Sequence, residues 1–181
     1  MSRQALIDHL VNHALRTDGP FTLRSGAVSE WYVDARQTTF DGDGGWLVGE
    51  AVLEVLDPDV DAVGGMTMGA DPIAVATALV AHHQGRHLHS FSIRKTAKEH
   101  GTGGRLVGPV GPGDRVAIVE DTTTSGGAAI EAAEAAVDAG LIVSQAITLV
   151  DRSHGAAEAR FRKVGIPYLA LVGPSDLGVG E

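Results

Sequence analysis

Apolar residues in this chain recur at two periods that take turns along its length. Leu6, Ile7, Leu10, Val11 and Ala14 make a stripe at helical spacing, with Ser2 placed to cap it and Gly19-Pro20 to end it. Trp46, Val48, Val52 and Leu56 mark a second helix from about Gly45, and Ala74, Ala76, Leu79 and Val80 a third. A fourth carries Ile130, Ala133 and Val137 on one face, Glu131, Glu134 and Asp138 on the other, and Gly140 at its close. Between the stripes lie short apolar, β-branched runs at 60–65, 88–93, 115–119, 143–150 and 166–172. Runs of that length, bounded by turn residues, predict buried strands. Strands alternating with helices predict an α/β fold with a mainly parallel sheet flanked by helices. Ligands of such sheets bind beyond the carboxyl ends of the strands. The segments following strands that end near Gly65, Ile93, Asp121 and Val150 are therefore expected to face one crevice.

Composition narrows what that crevice can serve. At 181 residues and 44% hydrophobic, the chain is expected to be a single domain, 1–181, with a sizeable core. A formal net charge of −9 argues against nucleic-acid or anionic-membrane partners. No apolar run approaches a membrane span, no signal peptide is readable and Cys is absent, so a cytoplasmic location is expected. An acidic protein that binds anions has to gather its positive charge locally. Two of the three lysines, Lys95 and Lys98, fall with Arg94 and His100 inside one stretch of seven residues. Gly101, Gly103 and Gly104 follow, the make-up of a lid closing over an anionic group. The plainer reading is a solvated surface loop.

The most specific stretch comes after the strand at 115–119. Glu120 and Asp121 stand at its end, and Thr122-Thr123-Thr124-Ser125-Gly126-Gly127-Ala128 leads into the fourth helix. Backbone N–H groups of a small-residue turn, at the positive end of a helix dipole, can cradle a phosphate. Carboxylates cannot, but they accept hydrogen bonds from the vicinal hydroxyls of a ribose. Pair and turn together fit a sugar phosphate; alone they also fit an ordinary turn whose Thr and Ser cap a helix. Neither a Walker sequence nor G-x-G-x-x-G is present. Met66-Thr67-Met68-Gly69-Ala70-Asp71-Pro72 is a second glycine turn after a strand, suited to pyrophosphate through backbone N–H groups or serving as a plain connection. Arg152, at a strand end, could clamp a planar carboxylate or pair with Asp151. Phe21-Thr22-Leu23-Arg24-Ser25-Gly26 and Ser29-Glu30-Trp31-Tyr32-Val33-Asp34 read as a flap over a site or as an edge hairpin. His82, His83, His87 and His89 straddle a helix end, a turn and a strand start. They are read as solvated rather than metal-binding, because they should not share one face.

These separated motifs, in this order, resemble the type I phosphoribosyltransferases, whose 5-phosphoribosyl 1-diphosphate (PRPP) motif the stretch at 120–128 matches. With the flap, the lid sequence and Arg152, the likeness narrows to the orotate phosphoribosyltransferases and covers nearly the whole chain. It implies the type I phosphoribosyltransferase fold, with residues up to about 40 as a small N-terminal hood. It also implies transfer of the phosphoribosyl group from PRPP to orotate, giving orotidine 5′-monophosphate and pyrophosphate in pyrimidine biosynthesis. Mg²⁺ would be held mainly by PRPP, near Asp121, in a homodimer whose lids reach the partner's sites. By matching position, Lys98, His100 and Asp121 are the expected catalytic residues. PRPP would be bound by Arg24, Arg94, Lys95, Lys98, His100, Glu120 and Asp121, and by Thr122, Thr123, Thr124, Ser125, Gly126, Gly127 and Ala128. Orotate would meet Tyr32, Val33, Thr124 and Arg152. Arg24 stands where the family normally carries Lys, and the turn at 66–72 lacks the basic residue many members have there. A phosphoribosyltransferase for another base and a PRPP-sensing regulator without catalysis are the alternatives. Two arginines favour a carboxylate-bearing base, and the basic lid favours catalysis.

Overall fold

The computed structural model describes residues 3–22, 26, 28–97 and 104–180; Arg24, Lys98 and His100 lie outside them. Helix α1 (Arg3–His9) runs into a π-helical turn at Leu10–Ala14 and buries Leu6, Ile7 and Leu10. It ends before the predicted Gly19-Pro20, because the chain leaves it as a strand. Leu15–Arg16 (β1), Phe21–Thr22 (β2), Val28–Ser29 (β3) and Tyr32–Val33 (β4) are two-residue strands. β1 pairs with β4 and β2 with β3, both antiparallel, so the flap is two small ribbons. A single turn, α2 (Arg36–Thr39), precedes α3 (Gly42–Val55). Asp41 starts α3 earlier than the apolar stripe predicts, its carboxylate accepting the Gly44 N–H at 2.8 Å.

Alternation then sets in, with β5 (Ala62–Met66), α4 (Ala70–His83), β6 (His89–Ile93), β7 (Leu106–Val107), β8 (Arg115–Thr123), α5 (Gly127–Asp138), β9 (Ile142–Asp151), α6 (Ala156–Lys163) and β10 (Tyr168–Val172). The main sheet is ordered β10-β9-β8-β5-β6-β7. All neighbours are parallel except β7, which turns back antiparallel on β6. This is the mainly parallel α/β sheet the alternation predicts. β7 escapes a sequence reading because two residues carry no periodicity; it closes the stem of the basic stretch, where Arg94 N–H donates to the Arg105 carbonyl at 2.9 Å.

Helices cover both faces. Leu6, Leu10, Val48, Val52 and Ile73 from α1, α3 and α4 pack on Val63, Val119, Ile147 and Leu149. Ala129, Ala133 and Phe161 from α5 and α6 pack on Ile118 and Ala146 on the other side. α3 and α4 approach closely because Gly49 has no side chain: a Cβ there would lie 2.8 Å from the Ala76 carbonyl oxygen. The strand runs two residues past Asp121, so Glu120 and Asp121, expected at its end, lie inside its ladder. Glu120 is in register with Thr148, and Thr123 with Asp151. β8 thus delivers its carboxylates on rigid backbone rather than on a loop.

Candidate active site

A crevice of about 1320 Å³ opens at the carboxyl ends of β8 and β9, under the two ribbons. Asp121, Thr122, Thr124 and Ser125 line it from below, Arg152 from just after β9, and Tyr32 and Val33 from above. Seven residues singled out in the sequence therefore meet in one space. A smaller cavity of about 200 Å³, lined by Leu6, Leu47 and Leu171 among others, holds none of them.

The floor is built of backbone. Gly126 sits at φ +73, a left-handed conformation that L side chains rarely adopt. Its N–H donates to Thr123 Oγ1 at 2.9 Å, and a Cβ would meet Ala157 of α6 at 3.1 Å. Glycine alone lets the chain turn this tightly against α6. The residues that follow begin α5, and no side chain caps its first N–H groups. Their hydrogen-bonding capacity and the positive end of the helix dipole lie directly after Thr124 and Ser125, which line the crevice.

The acidic pair is asymmetric. Glu120 is buried, and burial together with the neighbouring Asp121 charge lifts its carboxyl to about 8. At neutral pH it holds a proton and can donate as well as accept. Asp121 is only half-buried and lines the crevice. Gly69 leaves it room, since a Cβ there would come within 2.7 Å of Asp121 Oδ1. Lys95 lies close enough to favour the charged form of Glu120, although neither it nor Arg94 lines the crevice.

The turn at 66–72 differs from its sequence reading. α4 begins at Ala70, so Asp71 lies in the first helical turn, where a carboxylate suits the dipole. Its Oδ2 accepts from Thr67 Oγ1 at 2.6 Å, across the turn. His82 and His83 end α4, whereas His87 and His89 lie beyond the turn with their Nε2 atoms 3.2 Å apart. Among the described residues, no cluster of three or more His, Cys, Asp or Glu could hold a metal.

Arg152 does not pair with Asp151. The Asp151 carboxylate accepts instead from Ser153 N–H at 2.6 Å and Tyr168 O–H at 3.0 Å. Burial, and then the adjoining carboxylate, keep that phenol protonated well above its ordinary value. The Arg152 guanidinium lies 3.9 Å from the centre of the Trp31 ring.

No protein-family model matches the chain. Known proteins do. Orotate phosphoribosyltransferase of Streptomyces coelicolor is 46% identical over 162 residues, 89% of each chain. The chain belongs to the orotate phosphoribosyltransferase family. Among solved structures, the Mycobacterium tuberculosis orotate phosphoribosyltransferase in complex with Fe(III) dicitrate is 38% identical, with a TM-score of 0.86 over 98% of this chain and 99% of that one. The same enzyme in complex with PRPP gives 0.81 at 35% identity, over 98% and 99%. The fold is that of the type I phosphoribosyltransferases, and the chain is a pentosyl-transferring enzyme between PRPP and orotate.

For an orotate phosphoribosyltransferase, the sequence reading left out several residues of the crevice wall. Arg36 lines it, ion-paired with Asp34 at 2.7 Å, and so do Trp31 and His154. Trp31 was visible as an aromatic of the flap, but nothing in its neighbours along the chain tied it to Arg152. Glu120, Thr123, Gly126, Gly127 and Ala128 stand behind the lining rather than on it.

Proposed function

We propose that this crevice carries out the family's transfer with the residues named above, in a single domain whose hood lies within about the first 40 residues. The observation that carries the assignment of roles is the meeting of an uncapped helix start, a crevice-lining carboxylate and an arginine that no carboxylate among the described residues engages. Breaking the anomeric C–O bond of PRPP builds oxocarbenium character. The protein has to hold the ribose, steady the departing pyrophosphate and keep water away. Asp121 accepts from the ribose hydroxyls, with protonated Glu120 beside it. The 5′-phosphate is held by the stretch from Thr122 to Ala128, in which the bond from Gly126 N–H to Thr123 Oγ1 shapes the turn and Thr122, Thr124 and the amides of Ser125, Gly127 and Ala128 are the donors. Arg94 and Lys95, with Arg24, Lys98 and His100 from outside the described residues, meet the pyrophosphate. Lys98, His100 and Asp121 are the groups proposed to act at the reacting centre. Tyr32, Val33, Thr124 and Arg152 face orotate, whose own negative charge removes the need for a strong base.

Mg²⁺ takes oxygen ligands, keeps several waters and is commonly held by one or two carboxylates plus substrate phosphates. Asp121 suits that part, directly or through water, with PRPP supplying the other oxygens. When bound, the ion would neutralise charge on the leaving pyrophosphate.

A homodimer and a cytoplasmic location belong to the same proposal. Val75 and Leu79, one turn apart on α4, are 50% and 61% exposed, an apolar face suited to a second copy. No helix among the described residues is long and apolar enough to cross a membrane. Pyrophosphate release from PRPP, measured with orotate, adenine and hypoxanthine in turn, tests the activity. Orotate alone should support turnover; faster turnover with a purine would reassign the base, and PRPP binding without turnover would make the protein a sensor. For the shared site, mixed Lys98→Ala and Asp121→Asn chains should regain activity once subunit exchange is shown. Activity stuck at the level of the separate variants would place each lid in its own chain.

A further inference from the structure

A guanidinium has two flat faces and an edge that carries all its N–H donors. An ion pair with a protein carboxylate occupies the edge and cancels the charge. Stacking on an aromatic ring occupies a face and leaves both the edge and the charge available. Arg152 is held in the second way. It lies 3.9 Å from the Trp31 ring centre and has no carboxylate partner among the described residues. Among the described residues its guanidinium makes two long hydrogen bonds, both from Nη2, to Ser29 Oγ and the Trp31 carbonyl at 3.4 Å. Asp151, the nearest carboxylate in sequence, is engaged by Ser153 and Tyr168. Burial disfavours the charged form of Arg152, so an incoming carboxylate gains more from it than from a solvated arginine.

The ring is itself fixed. Trp31 Nε1–H donates to the Gly180 carbonyl at 3.1 Å, and Ser29 Oγ donates to the Trp31 carbonyl at 2.7 Å. Gly180 also lines the crevice, so the segment after β10 reaches the hood at this point.

We propose that Trp31 is a positioning residue for base recognition: its ring, anchored by Gly180, holds the Arg152 guanidinium with its edge open to a planar carboxylate. The inference rests on the reading that Arg152 receives the carboxylate of orotate. It adds a selectivity device, because a base without a carboxylate gains nothing from an arginine held in this way.

The test uses the full chain and steady-state kinetics with both substrates. Trp31→Leu should raise the orotate KM roughly three- to thirtyfold, the range of a partly desolvated cation–π contact. It should leave the PRPP KM within about twofold, a split that simple loosening of the hood would not give. Trp31→Phe keeps a ring face and should recover most of the loss, the remainder reporting the bond to Gly180. On an Arg152→Ala background, Trp31→Leu should add nothing. Should Trp31→Leu fail to fold, Trp46→Phe leaves Trp31 as the only indole of the two. Orotate should then shift its emission, and Arg152→Ala should abolish the shift. An unchanged orotate KM in Arg152→Ala overturns the reading of Arg152 and this inference with it. An Arg152→Ala effect with no Trp31→Leu effect, equal changes in both KM values, full additivity in the double variant, or an emission shift that survives Arg152→Ala overturns the Trp31 inference alone.

Discussion

The turn between β8 and α5 and the hood above it line one crevice by opposite means. The turn offers backbone: a left-handed Gly126, small residues and the uncapped start of a helix seated on α6. The hood offers side chains on and between two-residue strands: Tyr32, Trp31 against Arg152, and Phe21, whose ring centre is 5.9 Å from that of Tyr32. Backbone donors aimed by a helix suit a phosphate, which is common to many ligands. Stacked rings and an arginine edge suit a flat base with a carboxylate. Division of labour between a generic and a selective half follows from what each region is made of.

The largest effect should come from breaking the backbone half. Gly126→Val forces a β-branched residue to positive φ against Ala157, at a cost on the order of 1–2 kcal/mol for conformation alone and more for the contact. We expect kcat/KM for PRPP to fall about a hundredfold in a pyrophosphate-release assay; a parental PRPP KM would refute the backbone cradle. Asp121→Asn comes next. Loss of a charged hydrogen bond is worth about 1.5–3 kcal/mol, so calorimetry should show PRPP binding weakened at least tenfold with the melting temperature unchanged. Loss of cooperative folding would make Asp121 a structural residue.

Glu120 gives a pH signature instead. Its folded value of about 8 lies above the ordinary 4.5, so the folded chain holds a proton that the unfolded chain releases. Stability from this group is full below about pH 4.5 and falls as the pH rises toward 8, by about 1.4 kcal/mol for each unit of difference. Glu120→Gln removes that slope, so the variant should melt with the parent near pH 4.5 and above it at pH 9. Parallel curves would mean that Glu120 is ionised when folded. The smallest effect belongs to Ser125→Ala. If backbone carries the phosphate, deleting one hydroxyl should cost about 1 kcal/mol or less, roughly fivefold in PRPP KM. A hundredfold loss would shift the cradle from backbone to side chains.

The same contrast explains what the sequence could tell. The β8–α5 unit was legible because its parts are neighbours in the chain: a β-branched run, two acids, small residues, an amphipathic helix. The parallel sheet was legible for the same local reason. Strand order was not, since β5 lies beside β8 across fifty residues of chain that set no local pattern. The hood was legible only as aromatic density. Arg152 against Trp31, and Trp31 against Gly180, are contacts across |i−j| of 121 and 149, for which periodicity has no signal. The start of α4 at Ala70, inside the glycine turn, was not legible, because Gly69 and Pro72 both read as turn residues.

The central claim is that the two halves of the crevice recognise different substrates. Orotate and PRPP KM values, measured side by side for Asp121→Asn and Arg152→Ala, test it most directly. The account predicts a crossed result. Asp121→Asn should raise the PRPP KM at least tenfold and the orotate KM little, and Arg152→Ala should do the reverse. Equal changes in both constants in either variant would contradict the division and make the crevice a single, jointly held site.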